Sequence, residues 1–270
     1  MNDGPTSDGE KRYPRVALIG SRQSFVIASR CASLRIGGGA PFVRIGAGDA
    51  GRWSAHAHDH AHAHDHDHDH DHAHAHAHDH DHVYGVHDAI CAMLWAPGSV
   101  ADPYAVNEIE SELRLLRDAA DRRSLLLCAE ADAESLPLVC EYADAVRIAP
   151  RNMQNFPLLR AVGRSGRAAI LQRAIGATLD EWLLAAEYIA DAGGERIVLA
   201  ESGIRHFDPE VPRLVDLHSV ATLQRKTKLP ILVDLSWCDD RMAVSAISRA
   251  AMAIGADGAV EPTPWLPLSS

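Results

Sequence analysis

Residues 168–201 have the sequence AAILQRAIGATLDEWLLAAEYIADAGGERIVLAE, and their pattern indicates the fold class most clearly. Two apolar runs of strand length, Ala168–Arg173 and Arg196–Ala200, flank a segment with helical periodicity. Thr178 followed by Glu181 predicts a capping box at the start of that helix, and Gly193-Gly194 predicts its end. A strand, a helix and a second strand in succession are typical of a unit with two parallel strands.

The same alternation recurs along most of the chain. Further strand-like runs are Pro41–Ile45, Ala89–Trp95, Ser124–Ala129, Ala145–Ala149, Pro230–Leu235 and Gly258–Glu261. One intervening segment places Ile109, Leu113, Leu116 and Ala120 on a single helical face. Fully apolar strands separated by helices indicate a parallel sheet that is covered on both faces. Eight such strands in 270 residues favour an α/β fold with a single (β/α)8 TIM barrel, and an open doubly wound sheet is the alternative.

The composition changes abruptly at two places. Residues 1–12 are polar and predict a disordered tail, so we expect the barrel to occupy residues 13–270. A low-complexity insertion covers residues 55–82, where 14 histidines alternate with seven aspartates and six alanines from His56 to His82. This segment has no apolar side chain larger than alanine, so it cannot offset its ordering entropy by burial. We expect a mobile loop in the absence of metal.

Bulk composition bears on partners and location. Leaving out the seven aspartates of the insertion changes the formal charge from −11 to −4, and no basic stripe suggests a nucleic-acid partner. No run approaches the roughly 20 apolar residues of a membrane span. Met1–Tyr13 has no apolar export signal, so we expect no membrane partner and a cytoplasmic location. Cys91, Cys128 and Cys140 lie within apolar runs, which is typical of small core residues.

Polar residues follow the apolar strands where each strand ends. They are Asp49, Glu130, Arg151, Gln172-Arg173, Glu201, Asp234-Leu235-Ser236-Trp237 and Glu261. Active sites of such barrels gather at the C-terminal strand ends, and unpaired charges are costly to bury. We therefore expect these side chains to converge on one polar site, with a ring of structural ion pairs as the alternative.

Five motifs follow one another in the second half of the chain. They are APRNMQNF at 149–156, ATLDEWLLAAEY at 177–188, GIRHF at 203–207, LPILVD at 229–234 and AAMAIGADG at 250–258. The first is similar to a Gly-Ala-Arg-Asn-(Met/Ala)-Gln-Asn-Phe motif at the end of a fourth barrel strand. From about Ala119 to Glu261 the chain resembles the type I 3-deoxy-heptulosonate-7-phosphate (DAHP) synthases of the shorter, bacterial subclass.

The resemblance implies a chemistry. Members of this family join phosphoenolpyruvate to erythrose-4-phosphate in an aldol-type condensation of shikimate-type, aromatic amino-acid biosynthesis, and a divalent metal polarises the aldehyde. By resemblance, the chain would be a transferase with a small phosphorylated substrate and a divalent metal, either Mn, Zn, Co or Ni. The positions that would bind substrate are Arg151, Gln172, Arg173, Glu201 and Asp234.

Several cations of the family pattern are replaced in this chain. A lysine on the fifth strand is replaced by Gln172, an arginine on the sixth by Ser202, and a Lys-Pro-Arg-Thr segment by Ala96–Ser99. A hydrogen bond to a charged group contributes roughly 1.5–3 kcal/mol, so these losses predict weak binding of two phosphates. The sequence leaves open whether the chain is an active enzyme.

The metal ligands implied by the resemblance are also substituted. Glu261 matches the glutamate after strand eight, whereas Asp49 stands where the family has a cysteine and Trp237 where it has a histidine. Cys238 is a further candidate ligand. Asp49, Glu261 and Cys238 would hold a metal in a different coordination shell.

The histidine-rich insertion offers a second set of metal ligands. Imidazole and carboxylate groups suit Zn, Ni, Co or Cu, and no fixed geometry selects among these ions. The candidate ligands are His56, His58, His60, His62, His64, His66, His68, His70, His72, His74, His76, His78, His80 and His82. Metal capture, storage or delivery is one interpretation, and repeat expansion in a tolerant surface loop is the other.

Three hypotheses about function remain after the sequence analysis. The chain is an active synthase or a related aldol-type enzyme, a catalytically silent family member (a pseudoenzyme) that regulates a partner, or a metal-handling protein built on a barrel. Loss of cations disfavours the first, whereas retention of Arg151, Glu201, Asp234 and Glu261 favours a pocket that binds a small anion. The resemblance also implies a homo-oligomer.

Overall fold

A computed structural model provides the coordinates of the chain. It describes residues 24–29, 31–49, 88–93, 106–211 and 213–262. The predicted tail at residues 1–12, the insertion at residues 55–82 and the segment Ala96–Ser99 lie outside these ranges.

Twelve strands and six α-helices alternate through the described residues. In chain order they are β1 (Ser24–Ala28), β2 (Ser33–Gly37), β3 (Val43–Asp49), β4 (Ala89–Met93), α1 (Val106–Arg122), β5 (Leu126–Glu130), α2 (Leu136–Tyr142), β6 (Ala145–Ile148), a 3₁₀ helix (Pro150–Asn152), α3 (Phe156–Arg164), β7 (Ala168–Gln172), α4 (Leu179–Asp191), β8 (Ile197–Glu201), β9 (Ile204–Arg205), β10 (Arg213–Leu214), α5 (Leu217–Lys226), β11 (Ile231–Asp234), α6 (Arg241–Ala253) and β12 (Gly258–Pro262).

Eight of the strands form a closed, wholly parallel barrel. Their order around the ring is β3, β4, β5, β6, β7, β8, β11 and β12, and β12 pairs with β3 to close it. The predicted (β/α)8 barrel is therefore confirmed, and the open doubly wound alternative is wrong. All eight predicted apolar runs coincide with barrel strands, with ends that differ by a few residues.

Alternate residues of each strand point to opposite faces, so the barrel has two separate apolar cores. The inner core fills the lumen and contains Ile45, Cys91, Cys128, Ile170, Val198, Leu232 and Val260. The outer core lies between the strands and the helices and contains Leu127, Val146, Leu171, Leu199 and Val233. A residue's parity along its strand therefore decides whether it faces the lumen or the helices.

The β1–β2 hairpin adds to the inner core. Its strands pair antiparallel, and Ile27 and Ile36 pack among the lumen residues with exposed fractions of 3% and 0%. The short segment 38–42 joins β2 to the start of β3, so the hairpin lies at the N-terminal end of the barrel. This end is opposite the polar strand ends, which leaves the C-terminal end for a site.

Local sequence signals explain the helices well. Thr178 and Glu181 form the predicted capping box, with both reciprocal hydrogen bonds present at the start of α4. The helix ends before Gly193, whose φ of +104° lies in the region that favours glycine. On α1, the predicted apolar face is buried against β4 and β5, and its four residues are Ile109, Leu113, Leu116 and Ala120.

No helix in the described ranges has both the length and the apolar character that crossing a bilayer requires.

Candidate functional site

Four polar side chains lie inside the barrel near the C-terminal ends of its strands. They are Glu130 on β5, Arg147 on β6, Gln172 on β7 and Asp234 on β11, and none is more than 5% exposed. Each stands two positions after an inner-core residue of its own strand, namely Cys128, Ala145, Ile170 and Leu232. The strand period of two therefore directs all four side chains into the lumen. We call this group the lumen cluster.

Arg147 is the centre of the lumen cluster. Its Nε donates to Gln172 Oε1 at 2.9 Å, and its Nη2 donates to Asp234 Oδ2 at 3.1 Å and to Ser236 Oγ at 3.4 Å. Burial alone would lower the pKa of this guanidinium, but the Asp234 carboxylate and other acidic neighbours outweigh burial and raise it. Arg147 is therefore a permanent cation inside the barrel.

Gln172 and Asp234 fix the orientation of that cation. The Gln172 amide accepts from Arg147 through Oε1 and donates to Asp234 Oδ2 through Nε2. Asp234 Oδ1 accepts from the backbone N–H of Ser236 at 2.9 Å. Because both side chains are 1% exposed and hydrogen-bonded, their rotamers are held by contacts on every side.

Glu130 links the buried Arg147 to the more exposed Arg151. Its Oε1 accepts from Nη2 of Arg151, which lies in the 3₁₀ helix that follows β6. Its Oε2 lies 3.9 Å from Nη1 of Arg147. Burial raises the pKa of the Glu130 carboxyl, although both arginines oppose that effect. The Arg151 side chain remains 54% exposed, so it can reach a ligand from solvent.

One donor of the lumen cluster is left without a hydrogen bond. Nη1 of Arg147 is buried and has no hydrogen-bond partner among the described residues, because its nearest carboxylate oxygen on Glu130 is beyond hydrogen-bond distance. A buried donor that lacks a partner costs free energy and marks a place that a ligand or water can satisfy.

Arg213 adds a cation close to the lumen cluster. Its guanidinium stacks over the ring of Trp237 at 5.2 Å, and the Trp237 Nε1 donates to the backbone oxygen of Asp234 at 2.8 Å. A Cβ on Gly203 would lie 2.7 Å from Cγ of Arg213, so only glycine leaves room for this side chain. Burial lowers the pKa of Arg213. The Asp234 carboxylate opposes that effect, and the positive charge of Arg147 adds to it.

A second polar cluster lies outside the lumen. Arg173 Nε donates to the oxygen of Ala177 at 2.9 Å, and its Nη1 donates to Glu201 Oε2 at 2.9 Å and to Asp216 Oδ2 at 3.4 Å. Arg173 and Glu201 have the strand parity of the outer-core residues Leu171 and Leu199, so they face the helices. The predicted convergence on one site is therefore incomplete, because strand parity divides the polar residues into two groups.

The outer cluster has the features of a structural ion network. Glu201 is wholly buried, burial raises the pKa of its carboxyl, and Gly203 N–H donates to its Oε1 at 2.8 Å. Asp216 caps α5 by accepting from Ser219 N–H at 2.9 Å. Although burial opposes it, hydrogen bonds from Ser219 and Arg173 lower the pKa of Asp216.

Two of the predicted metal ligands, Glu261 and Cys238, have other contacts in the described part of the chain. Glu261 accepts from Ser248 Oγ of α6 at 2.7 Å, on the opposite strand face from the inner-core residue Val260. Cys238 Sγ lies 3.7 Å from the oxygen of Asp240, and Asp49 ends β3 opposite Met93. Within the described ranges, no three His, Cys, Asp or Glu side chains are grouped as a metal site. Glu261 and Cys238 therefore form no metal site with other described side chains.

Sequence reasoning missed two residues of this site, Arg147 and Arg213. Arg147 stands inside an apolar run rather than at its end, so the pattern assigns it to the strand and not to the site. The two-residue period of the strand is a signal that identifies it. Arg147 follows Ala145 by two residues, just as Gln172 follows Ile170, so both side chains face the lumen. Arg213 lies on a two-residue strand, which is too short for an apolar run to predict it.

Comparison with known proteins places the barrel in a family. Residues 107–261 match the model of the DAHP synthetase I family. A phospho-2-dehydro-3-deoxyheptonate aldolase of Thermotoga maritima is 41% identical over 161 residues, which cover 58% of this chain and 48% of that protein. A 2-dehydro-3-deoxyphosphooctonate aldolase of Syntrophotalea carbinolica is 28% identical over 165 residues, which cover 56% of this chain and 58% of that protein. The chain thus matches only about half the length of these relatives.

Solved structures agree with that placement. A crystal structure of the Thermotoga maritima DAHP synthase superposes with a TM-score of 0.70 at 27% identity, covering 93% of this chain and 67% of that one. A truncated form of the 3-deoxy-D-arabino-heptulosonate 7-phosphate synthase from Thermotoga maritima gives a TM-score of 0.64 at 29% identity, covering 88% and 79%. The family model matches more than half of the chain, and the fold agrees with it. The chain belongs to the DAHP synthetase I family.

Proposed function

We propose that the chain is a divergent DAHP synthase-like protein that binds phosphoenolpyruvate or a related phosphorylated carboxylate. The ligand binds at the C-terminal end of the barrel, beside Arg151 and the lumen cluster, and we call this region the mouth. The observation that carries this proposal is Arg151, which stands at the C-terminal end of β6 with more than half of its side chain exposed. Glu130 orients its guanidinium towards the lumen cluster, and a planar guanidinium suits a carboxylate or phosphate in bidentate geometry.

Each residue of the mouth has a role in this proposal. Arg151 exchanges the Glu130 carboxylate for the ligand's anionic group. Gln172 and Asp234 hold the Arg147 guanidinium in place below it. Arg173 and Glu201, which the resemblance also assigns to substrate binding, support the fold of the β7 and β8 ends from the helix side. The described residues provide no metal site, so no step of the proposal depends on a metal held by them.

The first test is synthase turnover with phosphoenolpyruvate and erythrose-4-phosphate. Purified full-length protein would be assayed with Mn, Zn, Co and Ni supplied in turn. Turnover supports a synthase that completes its site with residues outside the described ranges. Absence of turnover from folded protein rejects synthase activity and leaves the silent, regulatory hypothesis and the metal-handling hypothesis. Ligand binding then tests the first of these, and metal content tests the second.

Arg151→Ala tests the binding half of the proposal. Phosphoenolpyruvate should raise the melting temperature of the wild type, because a ligand that binds only the native state stabilises it. The variant should lose that increase. Arg164→Ala, an exposed arginine at the end of α3, is the control and should keep it. An unchanged increase in Arg151→Ala would reject Arg151 as the anion contact.

A second candidate function, metal handling, rests on the histidine-rich insertion. A metal site with three such ligands would need at least one residue from outside the described ranges, and the insertion supplies 14 histidines there. Free imidazoles and carboxylates bind divalent transition metals without a preformed fold.

The cytoplasmic location and the homo-oligomer stay predictions.

A further inference from the structure

We infer that Arg147 and Arg213 form an inner anion subsite in the barrel lumen, which takes one carboxylate or phosphate group of the ligand. The inference rests on the proposed function, because it specifies which groups hold the ligand once Arg151 has admitted it. It assigns two residues that lie on different elements, β6 and β10.

The buried Arg147 is held in a way that leaves one edge available. Nε and Nη2 are committed to Gln172, Asp234 and Ser236, so the guanidinium cannot rotate without breaking those bonds. Nη1 is buried and lacks a hydrogen bond in the described part of the chain. A cation whose orientation is fixed and whose remaining donor is unsatisfied is preorganised to bind an anion.

Arg213 is also positioned without being neutralised. Stacking on Trp237 fixes the guanidinium plane, and Gly203 leaves room for the aliphatic part of the side chain. No carboxylate of the described residues forms a salt bridge with it, in contrast to Arg147, Arg151 and Arg173. The Trp237 indole donates to Asp234 O, and the charges of Asp234 and Arg147 both act on the Arg213 guanidinium, so Arg213 lies close to the lumen cluster.

The charges around the mouth favour an anion. Arg147 and Arg151 balance the carboxylates of Glu130 and Asp234, and Arg213 adds one positive charge in excess. The position at which the resemblance predicts a lysine is Gln172, and its amide oxygen accepts directly from Arg147. The positive charge that Gln172 does not supply is therefore present one strand away.

The ligand class follows from the donors. Guanidinium groups recognise carboxylates and phosphates, and phosphoenolpyruvate carries both. Titration calorimetry of the full chain with phosphoenolpyruvate, pyruvate and inorganic phosphate, each alone, distinguishes the two. Pyruvate binding would identify a carboxylate subsite, and phosphate binding would identify a phosphate subsite.

The deciding variants are Arg213→Gln and Arg147→Lys. Arg213 makes no salt bridge with a described residue, so its replacement should leave the fold intact and weaken phosphoenolpyruvate binding roughly ten- to hundredfold. Arg147→Lys keeps the buried charge but loses the guanidinium fork, and it should weaken binding to a similar degree. Arg160→Gln is the matched control, because Arg160 stacks on Tyr188 at 4.9 Å away from the mouth.

Each outcome separates this inference from the proposed function. If phosphoenolpyruvate binds and Arg151→Ala abolishes binding while Arg213→Gln has no effect, the subsite is rejected and the proposed function stands. If only inorganic phosphate or pyruvate binds, and Arg213→Gln weakens it, the subsite stands without the proposed substrate. If the wild type binds none of the three ligands, both are rejected.

Discussion

Arg147 shows how a charge can be placed inside a barrel that is otherwise filled with apolar side chains. Isolated burial of an ion would cost several kcal/mol or more, but here Asp234 supplies a counter-charge and Gln172 an additional acceptor. The remaining cost is concentrated at Nη1, the donor without a hydrogen bond in the described ranges. A network that is satisfied except at one edge is costly for stability alone and suited to binding.

Prediction of this residue from sequence fails for a physical reason. The strand-end rule selects residues that follow an apolar run, and it finds Arg151, Gln172 and Asp234 in this way. Arg147 is followed by two further apolar residues, Ile148 and Ala149, so the rule passes over it. Only parity relative to residues known to face the lumen distinguishes a buried functional arginine from one at the surface.

Glu130 predicts a pH dependence of anion binding. Its raised pKa means that ionised Glu130 is disfavoured in the fold, and that this cost disappears as the pH falls through the raised pKa. Protonation also releases Arg151 from its ion pair. Sulfate, whose charge is constant over the mildly acidic range, should therefore bind the wild type more tightly as the pH falls from neutral.

Glu130→Gln is the control for that measurement. The amide imitates the protonated acid, so the variant should bind sulfate more tightly at neutral pH and lose this part of the pH dependence. The histidines are the same in both proteins, so the difference between the two titrations isolates Glu130. Equal pH dependence in both would show that Glu130 does not control Arg151.

At the scale of single elements, the sequence predicts most of the architecture. The capping box of α4 needs only the spacing of Thr178 and Glu181, and the apolar strands need only run length, because both signals are local. The division between lumen and outer clusters is not local. It depends on where each strand begins, and shifting a strand by one residue exchanges its two faces.

The β1–β2 hairpin is the element that sequence analysis leaves least specified. The glycines at positions 37–39 mark only the end of a short strand, whereas the fold uses Ile27 and Ile36 to close the lumen from the N-terminal end. This contribution is invisible in sequence, since an alternating pattern does not say which surface its apolar face covers. The hairpin is therefore part of the barrel core rather than a separate extension.

Ile36→Ala tests that role. Ile36 has no exposed surface, so removing its side chain should lower the free energy of unfolding by about 2–5 kcal/mol through lost burial and a residual cavity. Val26→Ala on the same hairpin is the control, because Val26 is 40% exposed and should cost far less. Urea denaturation measures both, and equal small effects would contradict a hairpin that seals the lumen.

In the molecule as a whole, the two ends of the barrel have different roles: one is packed with apolar side chains and the other carries the candidate site. The N-terminal end is filled by the hairpin and the inner core, and the C-terminal end carries the lumen cluster and the strand-end polar residues. In the sequence, the histidine-rich insertion lies between β3 and β4, and the C-terminal end of β3 is on the face that carries the candidate site.

Deletion of residues 56–82 is the test at this scale. The shortened connection still joins β3 to β4, and shortening a long connection changes its closure entropy only slowly, so the barrel should keep its circular dichroism spectrum and melting transition. Most of the Zn, Ni or Co that the full chain retains after gel filtration should disappear, because 14 of the 17 histidines are removed.

Two matched variants decide where the metal is held. Glu261→Ala and Cys238→Ala remove candidate ligands of the barrel, and under the insertion hypothesis both should keep the metal content of the wild type, measured by elemental analysis on untagged protein. The opposite result, with metal retained after the deletion and lost in Glu261→Ala, would place the metal at the strand end. Glu261 would then have to leave Ser248 and turn towards residues outside the described ranges, because no three-ligand group exists within them.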